Sequence, residues 1–333
     1  MWRGVENLLC VRLDNMGDVL MTTPAMRALR ETLGCRITLL ASSDSLAGLL
    51  PEVDECLVFK APWMKPACGK TDDLQLVEHL RHFDAAVIFT VYSQSALPAA
   101  YLCYLAGIPR RLAHCRENPY HLLTDWVAET EPGPTVRHEV RRQLDLVAAV
   151  GCRTGNERLS FAVPPLAREA VRKLGLKSPI VVVHPGASAA SRRYPPESYA
   201  QALDMLGCEV VFTGDAGEVE LVERLRARLS VPSRSLAGRL SLAELGALIQ
   251  AADLLICNNT GPAHIAAALG TPVVDLYALT NPQHTPWQVE SRVLFHDVPC
   301  RNCYKSVCPA GHHDCLRRVP PQRVAEAARE LLA

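Results

Sequence analysis

Four apolar segments in the second half of the chain each end in a turn of glycine, proline and small polar residues. This repeated pattern constrains the fold more than any other feature, because strands that alternate with helices predict βαβ units and a parallel sheet. Ligands of such sheets bind beyond the carboxyl ends of the strands, so the four turns should line one nucleotide site. The segments are residues 179–188 (PIVVVHPGAS), 209–218 (EVVFTGDAGE), 253–264 (DLLICNNTGPAH) and 271–282 (TPVVDLYALTNP).

The first half repeats this alternation, with apolar strands predicted over residues 8–13, 37–41 and 86–91. The pair Pro164-Pro165 indicates a boundary between two domains. A chain of 333 residues is long enough for each domain to bury its own core. The residues alone therefore predict an α/β protein with two parallel sheets.

Charge and composition narrow the class of function. Lysine and arginine together number 35, as do aspartate and glutamate, so a polybasic nucleic-acid binder is excluded and no nucleic acid is expected as a partner. Thirteen cysteines without a recognisable signal segment predict reduced thiols in the cytoplasm. Residues 85–109 carry no charge, but polar residues interrupt them. They predict a buried strand followed by a buried helix rather than a membrane span.

The turn in residues 253–264 has the clearest mechanics. Thr260 is expected to cap a helix whose first residue is Pro262, where a missing N–H costs nothing. Gly261 allows backbone to approach a ligand closely, and the free amides of the helix start favour an anion such as a diphosphate. The alternative is an ordinary strand-to-helix turn that binds nothing.

Two other turns offer groups that suit a nucleotide. Ser188 ends the first segment, and Arg192 and Arg193 follow it; a guanidinium matches phosphate oxygens in a bidentate manner. The alternative for the two arginines is a solvated surface pair. Glu218 is the last residue of the second segment and could accept both hydroxyls of a ribose, or could only favour the dipole of the next helix.

Several stretches resemble the ADP-heptose:lipopolysaccharide heptosyltransferases, glycosyltransferase family nine. They are VRLDNMGDVLMTTPAMRALRE, VVHPGASAASRRYPPESY, LAGRLSLAELGALIQAADLLICNNTGPAHIAAALGTPVVDLY and VPCRNCYKSVCPAGHHDCLRRVPPQRV, in the family's order. The resemblance implies a GT-B architecture, in which two Rossmann-like domains face each other across a cleft. It implies an acceptor domain over residues 1–165, a nucleotide-sugar domain over 166–318, and a final helix, 319–333, that packs on the N-terminal domain.

The same resemblance implies a catalytic base. In these transferases the aspartate of the Gly-Asp step after the first strand has that role, and the step here is Gly17-Asp18. Inverting sugar transfer needs a carboxylate that takes the proton of the acceptor hydroxyl. The alternative is that Asp18 only caps the helix that follows. Asp14 is the competitor for the base, and we expect it to be solvated or a turn residue.

The family's donor-binding positions fall on residues of the second half. Arg192 stands where the family has a basic residue before the aromatic-proline pair, Glu218 on its ribose-binding acid, and His264 on a histidine near the diphosphate. The full set that the resemblance assigns to donor binding is Ser188, Arg192, Glu218, Asn259, Thr260, Gly261 and His264. Asn259 stands where the family usually has an aspartate. The amide of asparagine keeps an acceptor oxygen but lacks the negative charge. Since no D-x-D pair follows a strand, neither a metal nor another cofactor is expected.

The resemblance therefore implies an inverting, metal-independent glycosyltransferase. It would move heptose from ADP-heptose to a lipid-anchored lipopolysaccharide core acceptor at the cytoplasmic face of the inner membrane. We expect a cytoplasmic monomer that meets this membrane peripherally. The alternatives are another nucleotide sugar or glycan acceptor, or a non-catalytic nucleotide-sugar-binding relic. A dehydrogenase is disfavoured, because the first turn lacks G-x-G-x-x-G.

Other basic residues and the cysteines stay open. The pairs Arg110-Arg111 and Arg141-Arg142 are candidates to face an anionic acceptor, with a solvated surface as the alternative. The tail forms a C-x2-C-x4-C-x6-C array beside two histidines, which suits structural zinc, free thiols or a local disulfide. We expect Cys10, Cys35, Cys103 and Cys257 to lie in the core. The array comprises Cys300, Cys303, Cys308 and Cys315, with His312 and His313.

Overall fold

A computed structural model describes residues 2–64, 73–133, 136–278, 281–303, 305 and 307–333. The chain divides into two compact units, Met1–Ala162 and Val163–Ala333. Each unit holds one six-stranded sheet with its own helices.

The first unit contains six strands and four α-helices. Its strands are β1 (Asn7–Arg12), β2 (Arg36–Ala41), β3 (Glu55–Val58), β4 (Ala85–Ile88), β5 (Arg110–Cys115) and β6 (Asp125–Ala128). Its helices are α1 (Met16–Leu33), α2 (Asp73–His79), α3 (Leu97–Leu105) and α4 (Glu139–Ala148), with a 3-10 turn at Tyr120–Leu122.

The second unit repeats the plan with more helices. Its strands are β7 (Val181–His184), β8 (Val210–Phe212), β9 (Ser233–Ser235), β10 (Leu254–Asn258), β11 (Val273–Leu276) and β12 (Ser291–Leu294). Its helices are α5 (Pro165–Arg172), α6 (Pro196–Leu206), α7 (Val219–Arg226), α8 (Leu242–Ala251), α9 (Gly261–Leu269), α10 (Asp314–Arg317) and α11 (Pro321–Leu332). Three 3-10 turns lie at Ala190–Arg192, Ala216–Glu218 and Pro282–His284.

Both sheets are entirely parallel and share one strand order. The first runs β3-β2-β1-β4-β5-β6 and the second β12-β11-β10-β7-β8-β9. This is the doubly wound Rossmann-like topology, so the predicted fold class is confirmed. The strand order reverses between β1 and β4 in the first sheet and between β7 and β10 in the second. Ligands of such sheets bind at the carboxyl ends of these central strands.

Helix α1 shows how the local sequence builds an element behind β1. Gly34 ends the helix in the left-handed region, at a φ of 66°, where a side chain would add strain. Pro24 lies inside the helix and has no N–H for the carbonyl of Leu20. The hydroxyl of Thr23 donates to that carbonyl at 2.7 Å instead, so the helix continues past the proline.

The uncharged stretch at 85–109 forms β4 and α3, as predicted, but α3 is not fully buried. Tyr101, Tyr104 and Leu105 are exposed, because this helix covers only one side of the sheet. The guanidinium of Arg111 stacks over the Tyr104 ring, 5.5 Å from its centroid. No helix in the described part of the chain is long and apolar enough to cross a membrane.

The last helix, α11, packs against α6 inside the second unit. Val324, Ala327 and Ala328 are buried in the core there, as their helical spacing predicts. The expected return of this helix to the N-terminal domain stays a prediction. Burial of the predicted core cysteines is confirmed for Cys10, Cys35, Cys103 and Cys257.

Candidate functional site

Asn258 joins the turns that follow β7 and β10. It is the last residue of β10 and is fully buried. Its Nδ2 donates to the carbonyl of Pro185 at 2.7 Å, and its Oδ1 accepts from the backbone N–H of Tyr194 at 3.1 Å. The two turns at the point where the strand order reverses are thereby held in one arrangement.

Glu218 brings the turn after β8 onto the turn after β7. A β-carbon added to Gly186 would lie 1.9 Å from Glu218 Oε1, so the carboxylate occupies the space that a side chain would need. Its Oε2 accepts from the backbone N–H of Asp215 at 3.0 Å and lies 3.6 Å from His184 Nε2. Burial raises the pKa of Glu218.

His184 supports Glu218 as a neutral ring. Its Nδ1 lies 3.0 Å from the Thr213 hydroxyl. Burial lowers the pKa of His184 to about 4, although Asp215 raises it slightly. The imidazole is therefore uncharged at neutral pH, and its contact with Glu218 is polar rather than an ion pair.

Arg192 and Asn259 both approach Tyr277, which follows β11. Burial raises the pKa of the Tyr277 phenol, and Arg192 and Asn259 each act against that rise. Arg192 ends the 3-10 turn Ala190–Arg192, and its Nε is buried without a hydrogen-bond partner among the described residues. A buried guanidinium nitrogen without a partner suits an anionic ligand.

Helix α9 begins one residue earlier than predicted. Gly261 is its first residue and Pro262 its second, while Thr260 occupies the N-cap position. The Thr260 hydroxyl does not cap the helix, because it donates to the carbonyl of Asn258 at 3.1 Å. Pro262 has no N–H and the N–H of Ala263 donates to the Thr260 carbonyl at 3.1 Å, so the N–H of Gly261 is the first-turn amide left for a ligand. His264 lies buried one turn into the helix.

All four predicted turns thus come together at one edge of the second sheet. Asn258 links the first and third turns, Glu218 the first and second, and Tyr277 the third and fourth. Residues 279–280 of the fourth turn lie outside the described residues. Ser188 is exposed in the first turn.

In the first unit, Arg12 ends β1 with its side chain 0% exposed. It contacts three carboxylates. Its Nε lies 2.9 Å from Asp14 Oδ2, and its Nη2 lies 3.0 Å from Glu139 Oε1 and 3.5 Å from Asp18 Oδ1. Burial by itself would lower the pKa of Arg12. The three carboxylates together outweigh that effect and raise the pKa above its usual value, so the guanidinium keeps its charge.

Asp18 lies in the first turn of α1 with 14% of its side chain exposed. Its Oδ2 accepts from the backbone N–H of Asn15 at 3.2 Å, as the third helical residue of a capping box does. The carboxylate thus takes part in the helix cap and faces Arg12 as well. Its part in the helix cap is therefore observed, and its role as base stays a prediction.

Asp14 was expected to be solvated or a turn residue; it lies in the turn after β1, but it is not solvated. Only 6% of its side chain is exposed, because Arg12 and the amide of Gln94 hold it against the sheet. Burial raises the pKa of Asp14 more than Arg12 lowers it. Asp14 lines a cavity of about 300 Å³ that also contacts Trp63 and Thr90.

Two of the four candidate arginines, Arg111 and Arg142, are buried, so the alternative of a solvated surface position is wrong for them. Arg142 is 0% exposed and binds the carboxylate of Glu129 and the carbonyl of Thr90. Arg111 binds backbone carbonyls around the turn at Tyr120–Leu122, including that of Leu122 at 2.8 Å. The other two lie nearer the surface, where Arg141 pairs with Glu157 and Arg110 binds the carbonyl of Arg3.

Among the described residues, the four cysteines of the tail array take part in no disulfide. Cys300 Sγ lies 3.9 Å from His312 Nε2. Backbone hydrogen bonds from residues 310–313 lower the pKa of the Cys308 thiol. Within the described ranges, which omit residues 304 and 306 of the array, no three histidine, cysteine or acidic side chains form a metal-binding group. The zinc alternative stays a prediction.

Comparisons with known proteins give this arrangement its context. The sequence profile described as glycosyltransferase family 9 (heptosyltransferase) matches residues 74–313. The chain belongs to glycosyltransferase family 9. It is therefore a glycosyltransferase, and its two Rossmann-like units are those of the GT-B fold.

Some relatives of this family 9 chain match nearly its whole length, and others match about half of it. Lipooligosaccharide heptosyltransferase 2 of Haemophilus influenzae is 26% identical over 98% of the chain and 99% of its own. Lipooligosaccharide heptosyltransferase 2 of Campylobacter jejuni is 30% identical over 53% of the chain, and the match spans only 56% of that relative. The structure of Escherichia coli ADP-heptose LPS heptosyltransferase II has a TM-score of 0.77 and 26% identity, covering 98% of each chain.

Several residues of the arrangement described above were missed in the sequence. Arg12 is a charge at the end of an apolar strand, and Glu139 follows His138, which caps α4 by accepting from the backbone N–H of Val140. Both signals are visible in the sequence, but only the fold brings Glu139 to β1. Asn258 was missed because attention fell on its neighbour Asn259. Gly186 was missed because the side chain that requires a glycine there, Glu218, lies 32 residues further along the chain.

Proposed function

We propose that this chain transfers heptose from ADP-heptose to a lipopolysaccharide core acceptor, with inversion and without a divalent metal. The observation that carries the proposal is similarity across both units to heptosyltransferases named for lipopolysaccharide or lipooligosaccharide. One of the solved relatives is named for ADP-heptose. The arrangement of side chains in each unit supports the chemistry.

On the acceptor side, Asp18 is the proposed base. As the bond to the leaving diphosphate breaks, the sugar gains oxocarbenium character, and the acceptor hydroxyl attacks the anomeric carbon. Its proton passes to the Asp18 carboxylate. The partial exposure of this carboxylate leaves a path to a hydroxyl, while Arg12 keeps an opposite charge beside it.

On the donor side, the turns of the second unit supply the proposed contacts. Arg192 has a buried nitrogen without a partner among the described residues, and the amides at Thr260 and Gly261 begin α9. The Arg192 guanidinium and these backbone amides would together neutralise the departing diphosphate without a metal. Glu218 would accept the ribose hydroxyls. By resemblance, Ser188 and His264 complete the donor set.

Asn259 leaves a second candidate within the class. It stands where the family usually has an aspartate, and its buried amide carries no charge. A different nucleotide sugar or glycan acceptor is compatible with that change. A relic without turnover is disfavoured by the presence of Asp18 in the arrangement described.

The larger organisation is also proposed from the resemblance. By that resemblance, residues 1–165 form the acceptor domain, residues 166–318 the donor domain and residues 319–333 the final helix. The protein would act as a cytoplasmic monomer that meets the lipid-anchored acceptor at the inner membrane.

A panel of nucleotides tests the donor assignment. Thermal midpoints are measured with ADP, UDP, GDP, CMP and NAD, and with ADP-heptose beside ADP-glucose. A ligand at 100 times its Kd stabilises the fold by about 2.7 kcal/mol, which moves the midpoint by a few degrees. We expect ADP to exceed the other nucleotides and ADP-heptose to exceed ADP. A preference for UDP or GDP would overturn the donor, and a preference for NAD would overturn the proposal.

A further inference from the structure

The buried guanidinium of Arg12 serves carboxylates from three separate segments. Asp14 lies in the turn after β1, Asp18 in the first turn of α1, and Glu139 at the start of α4. Burying a guanidinium costs several kcal/mol of lost hydration, and an apolar side chain often serves a core as well. A strand end that keeps such a cation therefore calls for an explanation beyond stability.

Arg142 adds a second guanidinium to this cluster, and Glu129 adds a fourth carboxylate. Arg142 lies 3.7 Å from Glu139 Oε1 and also binds Glu129. The two arginines thus serve four carboxylates, those of Asp14, Asp18, Glu129 and Glu139, and the cluster is largely withdrawn from water. Each carboxylate disfavours the ionised form of its neighbours, and each guanidinium favours it.

Asp18 and Glu139 share one nitrogen of Arg12. Nη2 is 3.0 Å from Glu139 Oε1 but 3.5 Å from Asp18 Oδ1. Glu139 is 0% exposed, so its interaction is hardly screened by solvent, whereas Asp18 is partly exposed. The guanidinium is therefore held between the two carboxylates, closer to the one that cannot reach a substrate.

We propose that Arg12 is a positioning residue for Asp18, and that Glu139 competes with Asp18 for its guanidinium, so that the pair sets the lowest pH at which Asp18 works. This inference rests on the proposed function, in which Asp18 is the base. A base must be ionised before it can take a proton. Arg12 favours that state and fixes the carboxylate's direction, while the negative charge of Glu139 opposes it.

The pH dependence of the transfer rate tests the inference. In Arg12→Met the acid limb of the profile should move to higher pH by about one unit or more, because the cation beside Asp18 is lost. Arg12→Lys should move it less, since lysine keeps the charge but lacks the planar fork. Glu139→Gln should move it to lower pH, because a competing anion is removed. A merely structural role does not shift the limb in opposite directions.

Arg27→Met is the matched control. Arg27 is a mostly buried arginine of α1 that pairs with Glu52 at 2.8 Å, and its other hydrogen bonds in the described part of the chain go to residues 156–160 rather than to Asp18. Its loss should lower the thermal midpoint without moving the limb. An unmoved limb in Glu139→Gln and Arg12→Lys, or a shift of both in one direction, overturns the inference even if Arg12→Met fails to fold. Full activity of Asp18→Asn would instead overturn the proposed base itself.

Discussion

At the scale of single residues, Glu218 and Gly186 depend on each other. The carboxylate of Glu218 lies where a β-carbon of residue 186 would be, so no other residue type leaves it in place. Since the carboxylate is the end of a flexible side chain, a larger residue would displace it rather than break the fold. The glycine in the HPGAS turn thus serves a side chain of the next turn.

Gly186→Ala should therefore fold normally and bind ADP more weakly. The loss should match that of Glu218→Ala, because both remove the carboxylate from the ribose position. Calorimetric ADP affinities and thermal midpoints of the two variants provide the measurement. Gly155, which has open space around it, gives the control variant Gly155→Ala. Wild-type ADP affinity in Gly186→Ala would show that the position of Glu218 does not matter for the donor.

Asp18→Asn should abolish transfer and leave the helix intact. Its amide oxygen can still accept from the Asn15 N–H, so the cap of α1 survives. Loss of a general base lowers the rate by about 10²- to 10⁴-fold. Glu244→Gln makes the same change at the same position of the α8 capping box and should leave the rate unchanged. Transfer by Asp18→Asn within a few-fold of the parent would contradict its role as base.

At the scale of elements, the strands of the second sheet were the most predictable part. Val181–His184, Val210–Phe212, Leu254–Asn258 and Val273–Leu276 all fall inside the predicted segments. Continuous apolar runs are typical of strands that are buried on both faces of a sheet. The edge strand β9 carries Ser-Arg-Ser, which no hydrophobic pattern reveals. Edges are half solvated, so their sequences are less constrained.

The sites were predictable in one unit and less so in the other. Donor-side turns each follow a strand in sequence, so their meeting at one edge follows from parallel topology. The cluster around Arg12 depends on Glu139, which lies more than a hundred residues away and reaches β1 because α1 packs on α4. Pairing over that distance has no signature in one sequence.

Asn258 tests the link between elements. Its amide is fully buried and satisfies both the Pro185 carbonyl and the Tyr194 N–H. Asn258→Ala leaves two buried backbone groups without partners, which should cost about 2 to 5 kcal/mol of unfolding free energy. ADP affinity should fall as well, because the two turns lose their common fixing point. Denaturant unfolding gives the first quantity and calorimetry the second.

The control for that experiment is Asn118→Ala, which removes an exposed amide that accepts from the Tyr120 N–H in the first unit. It should change unfolding free energy by less than about 1 kcal/mol. Unfolding free energy in Asn258→Ala equal to that of the control would mean that the turns are held by other contacts.

At the scale of the whole molecule, the two units share one topology but differ in the side chains at the carboxyl ends of their central strands. The first presents buried ion pairs beside a partly exposed carboxylate, and the second presents the N-terminus of α9, a buried guanidinium nitrogen and a neutral histidine. These edges suit proton removal and anion binding respectively. A glycosyl transfer needs both, which is why the proposed reaction assigns one to each unit.

A transfer assay on the purified chain tests this account most directly. The protein is incubated with ADP-heptose and a lipopolysaccharide core acceptor in EDTA, and ADP release, product mass and anomeric configuration are measured. The account predicts one ADP for each heptose transferred, an inverted linkage, and a rate unchanged by the chelator. Retention of configuration, or activity that returns only when magnesium or manganese is added, would contradict it.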